Sequence, residues 1–193
     1  MSSAGLILAA GESRRMGSPK ALLDYRGETF LDRLVRIFAA HCAPVIVVLG
    51  AHADEIRART TGACMFVDNA EWRTGQTSSM QCGLRAVPRD VDGVLFTLVD
   101  HPAVSIETLD ILVAHAGHGP ALRVPRFGGR KGHPIWFAQA LVPEFLAIPA
   151  SGAARDVVRA HALETDFLDV SDPGILADID DPAAYRTLTG VEA

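Results

Sequence analysis

The stretch AGLILAAGESRRMGSPK, residues 4–20, passes from an unbroken run of small and apolar residues into a glycine, two arginines, a second glycine and a lysine. The opening run is short and aliphatic throughout, which reads as a strand buried on both faces. Three other runs share its character and are bounded by Gly, Pro or Asp: PVIVVLGA (44–51), CMFVDN (64–69) and GVLFTLVD (93–100). Strands of this kind belong inside a parallel sheet.

Between them the period changes. In TFLDRLVRIFAA (29–40), Leu31, Leu34, Val35 and Phe38 make one apolar helix face, and Thr29 with Asp32 forms a capping pair. HADEIRART (52–60), TSSMQCGLRAV (77–87) and SIETLDILVAHA (105–116) predict further helices. Strand then helix, four times over, implies right-handed crossovers and an α/β fold, doubly wound, with helices on both faces of a mostly parallel sheet. In the second half, ALRVPRF (121–127) and HPIWF (133–137) flank the turn GGRKG (128–132) and are expected to pair as a hairpin that extends this sheet. QALVPEFLAI (139–148) and AARDVVRAH (153–161) predict helices, TDFLDV (165–170) a last strand and PAAYRTLTG (182–190) a last helix. No repeat or linker divides the chain, so residues 1–193 are expected to form one domain.

A net charge of −5 and 49% hydrophobic residues oppose broad nucleic-acid or acidic-membrane binding. Cys42, Cys64 and Cys82 form no CxxC pair, so no disulfide framework or zinc knuckle is indicated. Met1 to Gly5 supplies no basic leader and no apolar run approaches the ~20 residues of a membrane span, so a cytoplasmic location is the expectation.

Local positive charge then needs a reason. In open parallel sheets the ligand crevice lies beyond the carboxyl ends of the strands, where Gly11–Lys20 would leave the first strand. Gly11 and Gly17 suit a turn that frees backbone amides, and Arg14, Arg15 and Lys20 add charge suited to a triphosphate. The spacing is not that of a Walker A loop, because Gly17 is followed by Ser18-Pro19-Lys20, and the dinucleotide fingerprint G-x-G-x-x-G is absent.

LAAGESRRMGSPK resembles the L-A-[AG]-G-x-S-x-R-M-G-x-x-K signature of the MobA-like nucleotidyltransferase family, and the Leu-Ala-Ala-Gly opening is most similar to its cytidylyltransferase (MocA-like) branch. VVLGAHADEI, NAEWRTGQTSSMQCGL, LVDHP, GRKGHPIWF, GAARDVV and DIDDPAAY extend the likeness over nearly the whole chain. The resemblance implies a Rossmann-like fold and a magnesium-dependent transfer of CMP from CTP to the terminal phosphate of molybdopterin, with a molybdoenzyme as possible client. A sugar- or alcohol-phosphate nucleotidylyltransferase, and a noncatalytic nucleotide-binding accessory protein, are the rival expectations.

Asp100 ends GVLFTLVD, and a carboxylate there facing a triphosphate suits magnesium, although it could equally end the strand and cap the helical region beyond it. The resemblance places the family's metal-binding aspartate at this position. His101 stands where Met or Gln is often found, and no role is assigned to it. The expected catalytic set is Arg15, Lys20 and Asp100. Leu8, Ala9, Ala10, Gly11, Asn69, Gly75 and Ser79 are expected to contact the nucleotide together with Arg15 and Lys20. Ser78 with Gln81 three residues on also reads as an ordinary helix cap.

Arg130, Lys131 and His133 are candidates for receiving an anionic acceptor; the alternatives are an exposed basic turn and a histidine bracing the hairpin. Asp178 and Asp180 read as alternating on one strand face, which makes Asp180 a candidate second metal contact, while Asp181-Pro182 reads as a helix start. His115 and His118 form an HxxH without a third ligand and are expected to be solvated.

Overall fold

The computed structural model describes residues 2–114, 119–149 and 151–191, so His115 and His118 lie outside the described residues. The strands are β1 (Ser3–Ala9), β2 (Asp24–Tyr25), β3 (Glu28–Thr29), β4 (Val45–Leu49), β5 (Met65–Asp68), β6 (Gly93–Leu98), β7 (Leu122–Phe127), β8 (Arg130–Lys131), β9 (Ile135–Ala138) and β10 (Thr165–Asp169). The helices are α1 (Phe30–Ala39), α2 (Ala53–Arg59), α3 (Gln76–Leu84), α4 (Ile106–Ala114), α5 (Val142–Leu146), α6 (Ala154–Ala160) and α7 (Pro182–Thr189).

The main sheet runs in the order β10-β7-β9-β6-β1-β4-β5, with β8 beside β7. Every residue of β1 and β4 is buried, as their continuous aliphatic runs require. β1 pairs in parallel with both β4 and β6, and β7 with β10; β9 runs antiparallel between β6 and β7. The predicted hairpin therefore exists, and its returning strand is what couples β7 to the parallel half. The side-chain period of two sorts the core. Leu6 and Leu8 pack with Met80, Leu84, Phe137 and Phe145 on one face, while Ile7 and Ala9 pack with Leu31, Leu34, Phe38 and Leu109 on the other. Each buried Leu, Ile, Phe or Met side chain among these contributes roughly 1.5–3 kcal/mol.

Three local expectations change. The helix expected to start near Thr77 starts at Gln76 with Gly75 as its N-cap, so Ser78 does not cap it. Ser78 Oγ instead donates to the carbonyls of Glu71 and Gly75, and Gln81 Nε2 reaches those of Phe145, Leu146 and Ile148, binding α3 to the end of α5. Residues 178–180 form no strand; a backbone bond from Ile179 N to the Asp100 carbonyl (2.9 Å) fastens them to the end of β6, with Ile179 buried between the two acids. The β2–β3 ribbon was not foreseen, although Arg26 and Gly27, both at positive φ, are its turn. Elsewhere the caps follow the sequence: Thr29 accepts from the Asp32 amide, and Asp181 caps α7 with Pro182 at its first position.

Candidate active site

Reading outward from β1, the chain goes to β4 and β5 on one side and then returns to β6 on the other. Such a reversal opens a crevice at the carboxyl ends of the strands. The loop after β1 enters it. Its turn is held by the Met16 amide on the Ser13 carbonyl (2.9 Å) and by Ser13 Oγ accepting from the Lys20 amide (3.1 Å). Of the two glycines expected to open this turn, Gly17 has the positive φ (72°), and the other left-handed residue is Ser13 rather than Gly11. A Cβ at Gly11 would meet nothing within 4 Å, so that backbone borders open space.

The resulting cleft, about 710 Å³, is lined by residues 8–15 and 19–21, by Trp72, Arg73, Gly75, Gln76 and Ser79, and by residues 98–100 and Asp180. All the expected nucleotide contacts except Asn69 thus meet in one place. Asn69 is buried behind the wall, its Nδ2 donating to the hydroxyls of Ser78 and Ser79 (3.0 Å each) and its Oδ1 accepting from the Glu71 amide, so it shapes the wall without lining the cleft. Trp72 and Arg73 were missed. Arg73 lies 4.3 Å above the Trp72 ring, and Trp72 itself sits so close over Gly50 that a Cβ there would come within 2.6 Å of its own. A tryptophan four residues beyond a strand was the available signal.

At the cleft floor Lys20 Nζ lies 3.2 Å from Asp100 Oδ2 and also bonds Asp180 Oδ1, while Arg15 Nη2 lies 2.6 Å from Asp180 Oδ2. The Lys20 side chain is only 11% exposed, a burial that its two carboxylate partners offset. The hydrogen bond from Lys20 holds the Asp180 carboxyl below its usual value, with Arg15 adding to the effect. Partial desolvation raises Asp178, and the carboxylates of Asp100 and Asp180 raise it further.

Behind these groups lies an unforeseen pair. His101 and His133 stand with ring centroids 4.8 Å apart, and burial pushes each down to about 4; Lys20 adds to the effect on His101, and His101 to that on His133. Both rings are therefore neutral near pH 7. Asp100 Oδ1, His101 Nδ1 and His133 Nδ1 are buried without a hydrogen-bond partner among the described residues. Asp100, His101 and Asp178 offer one ligand atom each within 4.8 Å of one another, a donor set that fits a divalent cation.

A smaller hollow of about 360 Å³ adjoins the cleft through Gln76 and Leu98. Lys131, His133 and Arg155 face it over apolar walls that include Phe96 and Val124. Of the three expected acceptor residues, Lys131 and His133 line it; Arg130 is exposed and lines neither space.

The sheet order and the cleft at its reversal define a Rossmann-like α/β protein with a nucleotide-sized crevice. Residues 5–165 match the MobA-like NTP transferase domain. The chain belongs to that family. A nicotine blue oxidoreductase of Paenarthrobacter nicotinovorans is 33% identical over 91% of this chain and 91% of its own. The purine catabolism protein PucB of Bacillus subtilis is 31% identical over 94% and 93%. A probable molybdenum cofactor guanylyltransferase of Bacillus cereus is 27% identical over 66% and 64%. Among solved structures, Rv0371c of Mycobacterium tuberculosis superposes with a TM-score of 0.83 over 99% of this chain and 100% of that one, at 26% identity. No described helix is long and apolar enough to cross a membrane.

Proposed function

We propose that the protein transfers a nucleoside monophosphate, CMP from CTP, to the terminal phosphate of molybdopterin and releases pyrophosphate. The observation that carries this reading is the meeting of Lys20 with Asp100, eighty residues apart in the chain, on the floor of a cleft ringed by the glycine loop. The family match and the guanylyltransferase relative support the reaction class; the Leu-Ala-Ala-Gly opening supports cytidine.

In this reaction an oxygen of the acceptor phosphate attacks the α-phosphorus of the triphosphate, a new P–O bond forms, and the bond to pyrophosphate breaks. The acceptor is already ionised near neutral pH, so no general base is required. The obstacle is charge: two unit charges ~4 Å apart repel by about 4 kcal/mol at an effective dielectric near 20. Lys20, largely buried between the loop and β6, is assigned to the point where α-phosphate and acceptor meet, and Arg15 to the β and γ phosphates. A divalent cation, magnesium with the incoming triphosphate, would be held at Asp100 and supply charge neutralisation to the phosphates. Asp180 pairs with both cations in the ligand-free protein, and a triphosphate competes with it for them.

The smaller hollow is assigned to the acceptor. Lys131 and Arg155 meet its phosphate, and the apolar walls with Phe96 meet a flat ring system. The protein acts in the cytoplasm as a single domain on this reading.

The test is pyrophosphate release with each of the four triphosphates, with and without molybdopterin. CTP-dependent, pterin-dependent release is expected. Release that needs a sugar or alcohol phosphate instead would change the acceptor, and nucleotide binding without any release would leave only a carrier.

A further inference from the structure

We propose that Asp100, His101 and Asp178 form a ready-made divalent-cation centre whose imidazole ligand makes it select first-row transition ions, manganese or cobalt, over magnesium. The inference deepens the transferase reading and rests on it for what the ion does, not for where the ion sits.

Three observations carry it. One ligand atom of each residue lies within 4.8 Å of the other two. Nitrogen and oxygen ligands ~2.1–2.2 Å from a shared ion stand up to ~4.4 Å apart, so the set has to draw together only slightly. Second, the Asp100 oxygen that faces His101 is not otherwise engaged. The His101 side chain is 8% exposed and turns Nε2 to within 3.8 Å of Asp100 Oδ1, a buried oxygen that has no hydrogen-bond partner among the described residues because Asp100 commits Oδ2 to Lys20. A buried polar atom left unpaired is costly, and a bound cation removes that cost. Third, the charges invite a cation, because three carboxylates, Asp100, Asp178 and Asp180, gather where the described ion pairs supply two cationic side chains, Lys20 and Arg15.

The selectivity follows from ligand chemistry. Magnesium favours oxygen donors and gives up its waters reluctantly. A neutral imidazole nitrogen favours manganese weakly and cobalt more strongly over it, in the order of divalent first-row affinities. His101 is therefore the residue that sets the metal preference. The backbone bond from Ile179 to Asp100 holds Asp178 in place and joins the end of β6 to the C-terminal segment.

The test uses the full-length protein stripped with a chelator and titrated with Mn2+ alone, without nucleotide. Free Mn2+ is read by electron paramagnetic resonance, and the bound ion is examined by spin-echo modulation for nitrogen coupling. The expected result is an ion with a directly coordinated imidazole nitrogen, bound about tenfold or more tighter than Mg2+ in competition. His101→Gln should remove the nitrogen signal and weaken Mn2+ by roughly 10–100-fold while changing Mg2+ affinity little. Asp178→Asn should weaken both ions. Bound Mn2+ without nitrogen coupling in the unaltered protein, or equal affinities for Mn2+ and Mg2+, would overturn the proposal, and neither result depends on a variant folding. Pyrophosphate release measured on the same samples separates the two readings. A nitrogen-ligated ion with no triphosphate turned over sinks the transferase and upholds the centre; turnover without such an ion does the reverse.

Discussion

Lys20 is a lysine that the fold has largely taken out of water and given two carboxylates. An ammonium so placed is held in one position before any ligand arrives, and pre-positioned charge is what phosphoryl chemistry needs. Lys20→Ala and Asp100→Ala are each expected to lower turnover by ~10²-fold or more, read as steady-state pyrophosphate release with circular dichroism confirming the fold. Wild-type rates in either folded variant would remove these residues from the chemistry. At this scale the loop signature singled out Arg15 and Lys20, and the end of the GVLFTLVD run singled out Asp100; the structure brings the three together at one cleft. The closeness of His101 and Asp178 to Asp100 was not legible, because a lone histidine or aspartate carries no spacing that tells which distant carboxylate it will stand beside.

Among the elements, α3 shows how a short helix is tied down. Gln81 spends its amide on three carbonyls at the end of α5, at 3.2, 3.2 and 2.9 Å, and so supplies the donors that a helix terminus lacks. Gln81→Ala should destabilise the protein by about 1–2 kcal/mol in urea unfolding, and Gln81→Glu by at least as much, since a carboxylate cannot donate. A second tie joins α5 to the end of α6. His161 Nε2 lies 2.7 Å from Glu144, whose hydrogen bond raises the histidine above its usual value, with Glu164 adding to it. The sign is set by the charged form being favoured in the folded state. The contribution is complete below the unfolded histidine value of ~6.5 and fades as pH rises through the higher folded one. Screening keeps it under about 1 kcal/mol. NMR titration should find His161 above the value of an unfolded histidine, and melts of His161→Ala should differ from the parent at pH 5.5 more than at pH 9.

Across the whole molecule the site depends on the chain's end returning to its beginning. Tyr185 of α7 is buried, packs 6.0 Å from the Phe30 ring of α1 and donates its hydroxyl to the Asp24 carbonyl (2.9 Å). That anchor holds the segment carrying Asp178 and Asp180 against Asp100. Tyr185→Ala should cost about 3–5 kcal/mol of stability, as comparable aromatic truncations do, and should also weaken Mn2+ binding although Tyr185 touches no ligand. Tyr185→Phe keeps the ring and should lose only about 1 kcal/mol, with cation affinity retained. Isothermal calorimetry and chemical unfolding read the two effects separately, and unchanged cation affinity in a folded Tyr185→Ala would show that α7 does not position the acids.

From the sequence alone came the buried strands, the faces of the helices and the loop after β1, since these are set by side-chain period and by contacts within a few residues. The tertiary structure alone decided that β9 enters the sheet antiparallel beside β6, that Asn69 stands behind the cleft wall, and that Asp100 and Asp180 share the cleft floor with His101 and Asp178 close to Asp100. Those facts depend on which distant segments are packed together, and long-range packing is chosen by the complementarity of whole faces, which no local pattern encodes.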